Sequence, residues 1–441
     1  MPRLLIIQAT GYRAYGSRER YRLRKRKLVG AVLPYLGALA PKEWDVTLVD
    51  DATEEIDFSA NVDVVALTLR TVTSLRGYEI ARRFRDRGVT VLMGGPHATF
   101  HAEEMLAHAD AVCVGEAEGV FPEMLSDAAA GRLRKLYRRD TPASLAQMPA
   151  PRWDLLDPSK YVFYRPYVIQ YSRGCPYTCD FCAERRLNGD FGYRIRPVEE
   201  VVADIRRCGS RHIFFAASQF AGDKAHAMAL MEALIPLKIR WSTLISAHFC
   251  LDRDFLELAR RSGLLHVNMG IESIDQRTLK SMRKGFNRVG SYEELLKNLR
   301  RARISYSLNF VFGSDEEEED VFDTTLQFLD EQKAETAYFN ILVPLKGTPL
   351  HERFRAEGRL LDEENMERWP GLTCHFRPLR YSPEELVGRV AQIRRDFYRF
   401  GSAVRRLPIP LRQSHWAAWN LHFLQSKVAG NLDRMRDFTE F

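Results

Sequence analysis

Three cysteines stand within eight residues of one another, at positions 175, 179 and 182 in the segment YSRGCPYTCDFC. The remaining four, at 113, 208, 250 and 374, are too few and too scattered for a disulfide scaffold. Three neighbouring thiolates can hold one face of an iron–sulfur cluster. A closed structural zinc site needs four ligands, and no second cysteine or histidine pair lies nearby. The spacing therefore predicts a cubane cluster with one iron left open, where a substrate can bind.

The elements that precede this motif alternate between short apolar runs and stretches of helical periodicity. Strands are predicted at residues 4–7, 45–50, 62–69, 89–93 and 111–114, and helices at 28–40, 78–87 and 103–108. Alternating units of this length favour a parallel sheet covered on both faces. We predict an α/β, doubly wound (Rossmann-like) domain over residues 1–140, with a ligand at the carboxyl edge of its sheet.

A second series of units contains the cysteines. Residues 141–165 hold four prolines and are predicted to be an extended linker. Six strands follow, at 167–171, 212–216, 240–245, 266–269, 305–312 and 337–343, with helical stretches between them. This series favours a partial TIM-type barrel over residues 166–375. Residues 376–441 are predicted to form a helical cap. The acidic run 315–320 is predicted to begin a helix, because acids favour the first turn.

The composition excludes several classes of protein. The chain has 441 residues, is 45% hydrophobic and carries a net charge of +7, which is typical of a globular protein. Residues 13–27 hold eight basic residues and one acid, so this segment accounts for the whole excess. We interpret it as a solvated loop or as a surface for an anionic ligand, lipid or partner, and not as a nucleic-acid site. No apolar run approaches the roughly 20 residues of a membrane span. We expect a cytoplasmic protein, with peripheral membrane contact left open.

The C-x3-C-x2-C motif, with Phe181 before its last cysteine, resembles that of the radical S-adenosylmethionine (SAM) enzymes. The resemblance extends over residues 165–375. It implies a four-iron four-sulfur cluster on Cys175, Cys179 and Cys182, whose open iron chelates SAM. The resemblance also implies further SAM contacts at Phe181, Ser218, Gln219, Gly270, Glu272 and Ser273. The stretch at 215–220 departs from the family because it lacks the usual acids, so Glu272 is expected to carry more of the contact with the methionine ammonium.

The first domain resembles the cobalamin-binding domain of one radical SAM subfamily. The similarity lies in the segments LTLRTVT, MGGPHAT and VGEAEG. It implies a cobalamin site formed by Thr68, Arg70, Thr71, Thr73, Gly94, Gly95, His97, Gly115 and Glu116. The D-x-H-x-x-G motif of cobalamin mutases is absent from the sequence. We therefore expect His97 beside the nucleotide tail, no histidine on cobalt, and Arg70 near the lower face or in solvent.

Together the two resemblances imply a methylase. Such an enzyme uses SAM both to methylate cobalamin and to make a 5′-deoxyadenosyl radical, and then methylates an unactivated carbon, here in secondary-metabolite or lipid biosynthesis. Radical cyclisation, ring rearrangement or sulfur insertion stay open as alternatives. The implied partners are a small-molecule substrate and an external reductase such as flavodoxin or ferredoxin. A transfer-RNA methylthiotransferase is disfavoured, because the first domain holds only Cys113.

The residues that meet the substrate are the least determined by the sequence. Candidates for the barrel mouth lie in predicted strands, at Trp241, His266, Asn268, Tyr306, Asn309 and Asn340. Weak candidates for a catalytic role are Tyr306, Cys250 and Cys374. Packing is the favoured interpretation of the barrel-mouth candidates, and a buried structural role is the commoner case for the two cysteines.

Overall fold

A computed structural model describes residues 1–13, 17–163, 165–363, 373–407 and 413–430. Its contacts group the chain into two compact units. The first comprises residues 1–174 and 184–212, and the second comprises residues 175–183 and the described residues between 213 and 430. The predicted domain limits stay a prediction. Residues 408–412 and 431–441 of the predicted cap lie outside the described residues.

The first unit contains a six-stranded parallel sheet in the order β2-β1-β3-β4-β5-β6. Its strands are β1 Arg3–Gln8, β2 Asp45–Asp50, β3 Val64–Thr68, β4 Thr90–Gly94, β5 Ala111–Val114 and β6 Leu136–Arg138. The helices between them are α1 Val32–Leu39, α2 Ser74–Arg85, α3 Pro96–Leu106 and α4 Val120–Ala129. The doubly wound prediction is confirmed, with β6 as an additional strand. In this strand order the topological switch lies between β1 and β3.

Both faces of this sheet are buried, as expected for a parallel sheet between helices. Leu5 and Ile7 pack into one apolar cluster, together with residues of α2 and α3. Leu4 and Ile6 point the other way into a second cluster, together with residues of α1 and α4. Because successive side chains alternate across a strand, near-continuous apolar runs serve both cores at once.

Residues 165–212 complete the first unit apart from 175–183. They form β7 Tyr167–Gln170, β8 Ser172–Arg173, α5 Glu184–Leu187, β9 Arg194–Ile195 and α6 Val198–Cys208. Strands β8 and β9 pair antiparallel, with Arg173 opposite Arg194. This short ribbon ends two residues before the first cysteine of the motif.

The second unit contains strands β10 His212–Ala216, β11 Arg240–Leu244, β12 Leu264–Glu272, β13 Ser305–Phe312 and β14 Thr336–Ile341, adjacent in that order. The pairs from β11 to β14 are parallel. The helices are α7 Lys224–Leu234, α8 Arg253–Ser262, α9 Gln276–Ser281, α10 Tyr292–Ala302, α11 Val321–Glu331 and α12 Pro349–Ala356. This repetition is the partial parallel barrel that the sequence predicts.

The acidic run 315–320 does not begin a helix, contrary to the prediction. Helix α11 starts at Val321, after the run. Asp315 pairs with Arg353 and Arg359 instead, and Glu317 is buried and accepts the Gly313 N–H at 2.8 Å. These acids therefore lie in a turn, because Asp315 is held by ion pairs and Glu317 by burial. Neither contact is visible in the local sequence.

Helices α13 Pro383–Phe397, α14 Phe400–Arg406 and α15 Gln413–Gly430 follow. Arg394 donates to the Phe339 carbonyl of β14, and Tyr398 contacts the backbone of Ala337 in the same strand. Trp419 packs against Ala403 and Leu407 of the preceding helix region. Across the described ranges, no helix combines the length and apolarity needed to span a membrane.

Candidate cluster and cofactor sites

The cysteine loop begins at Gly174, which has a left-handed φ of 77°. A Cβ at this position would lie 2.1 Å from the Gly192 carbonyl oxygen, so only glycine fits. None of the seven cysteines, all within the described residues, forms a disulfide. The Cys179 thiol interacts electrostatically with those of Cys175 and Cys182, so the three sulfurs lie close together. This donor set fits a cluster held by three thiolates.

The residues between the cysteines anchor the loop. The Asp180 N–H donates to the Met282 carbonyl at 3.2 Å. The Tyr177 ring stacks on Phe286 with centroids 4.0 Å apart, and its hydroxyl lies 3.2 Å from Nε2 of His248. Burial lowers the pKa of His248, so this ring is neutral at physiological pH. His248 and Phe286 were not identified from the sequence, because no motif surrounds them.

A buried ion pair stands at the end of β12. Lys284 Nζ lies 2.8 Å from Glu272 Oε1, with exposed side-chain fractions of 12% and 8%. Burial alone would lower the pKa of Lys284, but the charges of Glu272 and Cys179 raise it overall. Glu272 has a left-handed φ of 64°, which is rare for a side-chain-bearing residue. A Cβ at Gly270 would lie 2.3 Å from Glu272 Oε1, so the glycine makes room for the pair.

Lys284 is the main residue of this region that the sequence analysis missed. A buried carboxylate needs a cation nearby, and this requirement is the only signal that could have pointed to it. The carboxylate of Glu272 is already balanced by Lys284, which weakens the expectation that it neutralises the SAM ammonium.

The other predicted SAM contacts differ in exposure. Gln219 is buried, and its side-chain oxygen accepts the N–H groups of Ala221 and Ser246 at 3.3 and 3.2 Å. Ser273 accepts the Asp275 N–H at 3.0 Å, whereas Ser218 is exposed. Gln219 therefore links two strand-end loops, whereas Ser273 makes a contact within its own turn, and Phe181 is half-buried. Their roles toward SAM stay predictions.

The candidates for the barrel mouth divide between the two faces of the strands. Asn309 donates to Asn268 at 2.7 Å across neighbouring strands, and His266 and Asn340 follow the same alternation. Each of these four is partly exposed. Trp241 and Tyr306 lie on the opposite, helix-covered face. Trp241 donates to the Ser262 carbonyl at 3.2 Å, and Tyr306 is 0% exposed. Both positions therefore fit the packing interpretation that the sequence favours for these candidates.

His266 is held as a neutral ring on this row. Its Nδ1 lies 3.1 Å from Ser305 Oγ and its Nε2 lies 3.0 Å from Ser307 Oγ. Burial lowers its pKa to about 4. Burial also raises the pKa of Glu335, which accepts from Ser305, to about 7. The inner row of His266, Asn268, Asn309 and Asn340, called the inner polar row below, thus carries hydrogen-bonding groups without a fixed charge.

The two cysteines considered for catalysis are packed in the protein. Cys250 is 0% exposed, with its Sγ 3.5 Å from the Met269 sulfur. Burial raises the pKa values of Cys250 and Cys374 to about 12 and 11. Cys374 donates to the Phe376 carbonyl at 3.2 Å. Their surroundings are those of structural thiols.

In the first unit, strands β3, β4 and β5 end on the same edge with small residues. Gly94, Gly95 and Thr68 are partly exposed and Gly115 is exposed, with nothing within 4 Å of a Cβ placed on Gly115. Gly95 has a left-handed φ of 97°, and its missing Cβ would lie 2.7 Å from the Leu69 carbonyl. The glycines thus allow a close strand approach and leave an open edge that fits a large flat ligand.

Several polar residues predicted at this edge are held by the protein itself. Thr73 Oγ1 accepts the Arg70 N–H at 3.1 Å and donates to the Arg70 carbonyl. His97 is fully buried, with its Nδ1 3.2 Å from Thr71 Oγ1. The side chain of Arg70 is exposed. Contacts of these residues with cobalamin stay a prediction.

Glu116 lies in a buried ion network. Arg173 and Arg194, which face each other on β8 and β9, both donate to its carboxylate. Arg173 also pairs with Glu118. The two arginines lower the pKa of Glu116, although burial opposes them. Glu116 therefore holds the ribbon that leads to Gly174.

The basic segment 13–27, of which the structure describes all but 14–16, is partly neutralised. Arg20 pairs with the fully buried Asp51 at 2.8 Å, and Arg26 binds both carboxylate oxygens of Asp50 at 2.6 and 2.8 Å. These contacts favour an intramolecular role over an open surface for an anionic partner.

Two family models match the chain. The model of the radical SAM superfamily matches residues 169–329, and that of the B12 binding domain matches residues 32–125. Bacteriochlorophyllide d C-12(1)-methyltransferase of Chlorobaculum tepidum is 30% identical over 412 residues, covering 90% of this chain and 88% of that protein. The C-8(2)-methyltransferase of the same organism is 29% identical, covering 81% and 83%.

More distant similarities agree with the fold. Hopanoid C-2 methylase of Rhodopseudomonas palustris is 26% identical, covering 77% of this chain and 67% of that protein. The structure of TsrM from Kitasatospora setae, with cobalamin and a [4Fe-4S] cluster bound, is 17% identical with a TM-score of 0.64, covering 88% and 85%. OxsB with aqua-cobalamin bound is 15% identical with a TM-score of 0.70, covering 100% of this chain and 74% of that one.

Proposed function

Since the chain belongs to the cobalamin-dependent radical SAM enzymes, we propose that it transfers a methyl group to an unactivated carbon of its substrate. Its cofactors are a four-iron four-sulfur cluster, SAM and cobalamin. The observation that carries the proposal is the 30% identity to a named C-methyltransferase over 90% of the chain. The three-cysteine loop and the open strand edge supply the donor set and the space that such an enzyme needs.

When bound, the cluster supplies the electron that cleaves SAM, and cobalamin supplies the methyl carrier. Cys175, Cys179 and Cys182 would hold the cluster and leave one iron without a protein ligand. Lys284 compensates the buried Glu272 carboxylate and places a positive charge near Cys179. Tyr177, stacked on Phe286, keeps the loop backbone in place.

For the substrate, we propose a side-chain carbon of a cyclic tetrapyrrole. Two relatives act by name on bacteriochlorophyllide d, and each alignment covers more than four-fifths of both chains. The inner polar row supports this choice, because each of its asparagine amides offers several donors and acceptors and can bind a ring carbonyl or ester group beside its contact within the protein. A triterpenoid, suggested by the hopanoid methylase, is the second candidate. A pure hydrocarbon offers no hydrogen-bond donor or acceptor to the remaining amide groups of that row.

A one-electron donor such as flavodoxin or ferredoxin is the partner we propose. The cluster must be reduced before SAM is cleaved. Outside the cysteine loop, the described residues contain no second group of three cysteines for another cluster, so the electron comes from a separate protein. The substrate is a small molecule.

The test is anaerobic turnover of the cluster- and cobalamin-loaded enzyme with bacteriochlorophyllide d, and separately with a hopene. We expect S-adenosylhomocysteine and 5′-deoxyadenosine in equal amounts, together with a tetrapyrrole heavier by one methylene. Deoxyadenosine with product but without S-adenosylhomocysteine would reject methylation and favour cyclisation or rearrangement. Methylation of the hopene alone would keep the reaction and reject the tetrapyrrole.

A further inference from the structure

The first unit holds a cluster of metal-ligand side chains, of which only His97 is among the predicted cobalamin contacts. His97, His101 and Glu104 all belong to α3, which starts directly after Gly95. One ligand atom from each lies within 4.8 Å of those of the other two. Their spacing of four and three residues places them on one side of the helix. The backbone departs from helical values at His101, with φ −132° and ψ 35°, so this ring is placed by an irregular turn.

The neighbours of the cluster resemble the outer partners of a metal site. His97 Nδ1 lies 3.2 Å from Thr71 Oγ1, which leaves Nε2 as the atom facing the cluster. A metal-bound histidine usually gives its other ring N–H to an oxygen in this way. The Tyr78 hydroxyl lies 2.9 Å from His97 Nε2 and 3.0 Å from Glu104 Oε1. It would keep the contact with Glu104 when an ion replaces the contact with His97.

The three side chains of the cluster differ in their exposure to solvent. His97 is fully buried, whereas the side chains of His101 and Glu104 are 12% and 33% exposed. The rings of His97 and His101 stack with centroids 4.5 Å apart. His101 Nδ1 lies 3.3 Å from Glu104 Oε2. Three donors thus lie within 4.8 Å of one another, close to the separations of ligand atoms around one small ion.

We propose that His97, His101 and Glu104 bind a divalent transition-metal ion of the zinc class, separate from the cluster iron and from cobalt. Two imidazole nitrogens and one carboxylate oxygen suit zinc, whereas calcium and magnesium prefer oxygen ligands alone. The imidazoles bind in their neutral form and the carboxylate in its ionised form. No redox step is involved, because Zn²⁺ has no redox chemistry. The ion would link α3 to α2 through Tyr78, and would thereby fix the segment that follows Gly94 and Gly95.

The experiment uses zinc as the probe and the full chain loaded with cluster and cobalamin, so that the cysteines are occupied. After equilibration with Zn²⁺ and removal of excess, elemental analysis should find one zinc per chain in the wild type. His101→Ala and Glu104→Gln should weaken zinc binding by more than roughly 100-fold, the upper end of the loss caused by removing an outer-shell partner alone. Iron and cobalamin contents should not change in either variant, which also shows that the chain is folded.

His108→Ala is the matched control. His108 stacks on Tyr78 with centroids 4.0 Å apart but is not one of the three ligands, so this variant should keep its zinc. X-ray absorption at the zinc edge should show nitrogen and oxygen neighbours at about 2.0–2.1 Å and no sulfur at about 2.3 Å. A wild type without zinc, equal binding by His101→Ala, loss of zinc in His108→Ala, or a sulfur shell would each overturn the proposal.

Discussion

The cysteine loop and the strand edge of the first unit both offer a place for a cofactor, but their residues are distributed differently along the chain. The loop takes its three sulfurs from positions 175 to 182, and the residues between them anchor it. The edge draws on residues 68 to 116, at the ends of three strands. Of its predicted polar contacts, Thr73, His97 and Glu116 are already bound by other side chains or backbone groups.

This difference shows when spacing is enough to assign a ligand. In the loop, three side chains a few residues apart can reach one cluster, so the spacing alone is enough to predict the ligands. At the edge, an oxygen or nitrogen meets a cofactor only if tertiary packing leaves it exposed. Glu116 satisfies the family motif, yet two arginines from β8 and β9 surround its carboxylate. At this edge, a residue that matches the family motif takes part in an ion network within the protein, and a cofactor contact does not follow from the match alone.

The largest effect should come from Cys179→Ala. Without the central thiolate two protein ligands remain, so the reconstituted variant should lose the cluster absorbance and all SAM cleavage. The control is Cys208→Ala at the end of α6, whose thiol donates to the Ile205 carbonyl at 3.2 Å. That variant should keep both properties. Retention of absorbance and turnover by Cys179→Ala would show that the loop is not the cluster site.

Next in size is Arg173→Met, which tests whether the first unit depends on the ion network of Glu116. The change leaves Glu118 buried without its arginine, and breaking such a pair costs about 3 kcal/mol of unfolding free energy. The matched control is Arg134→Met, because the pair of Arg134 with Glu123 is exposed and should contribute almost nothing. Urea unfolding measures both. Equal urea midpoints for the two variants would show that the buried ion network contributes no more to stability than an exposed ion pair.

A smaller effect, confined to the second unit, concerns Glu317. Burial raises the pKa of its carboxyl to about 8 in the folded protein, against 4.5 unperturbed. The folded state therefore holds a proton that the unfolded chain releases above pH 4.5, so stability falls as pH rises through 8. Between pH 6 and 8 the wild type should lose about 2 kcal/mol relative to Glu317→Gln, which cannot ionise.

The neighbouring Glu318→Gln serves as the control for that measurement. Glu318 pairs with Arg277 at 2.7 Å on the surface, and its pKa is lowered, so it stays ionised across this pH range. Its substitution should leave the pH profile of unfolding unchanged. A wild-type profile parallel to that of Glu317→Gln would contradict the protonated state of Glu317.

The sequence predicted most strands because both sheets are parallel and their strands are apolar runs between turn residues. It missed β6, whose three residues include an exposed Leu136. It could not separate Trp241 and Tyr306 from the polar candidates of the barrel mouth, because amphipathic aromatic residues suit either face when helices cover one side of a strand. The cluster cysteines followed from spacing. Lys284, His248 and the pairing of Glu116 depend on contacts between distant segments, which no local pattern encodes.

The smallest expected effect belongs to Arg70→Ala, and it bears most directly on the strand edge. Among the polar candidates there, Arg70 has an exposed side chain, and its turn is held by the backbone contact with Thr73. Alanine keeps that contact, so stability should change by less than about 0.5 kcal/mol. If Arg70 faces the lower side of the corrin, the absorption spectrum of bound cobalamin should shift in the variant. It should not shift in Arg82→Ala, which removes an exposed arginine at the far end of α2. An unchanged spectrum in both variants would place Arg70 among the solvated residues. The strand edge would then contact cobalamin mainly through its small residues.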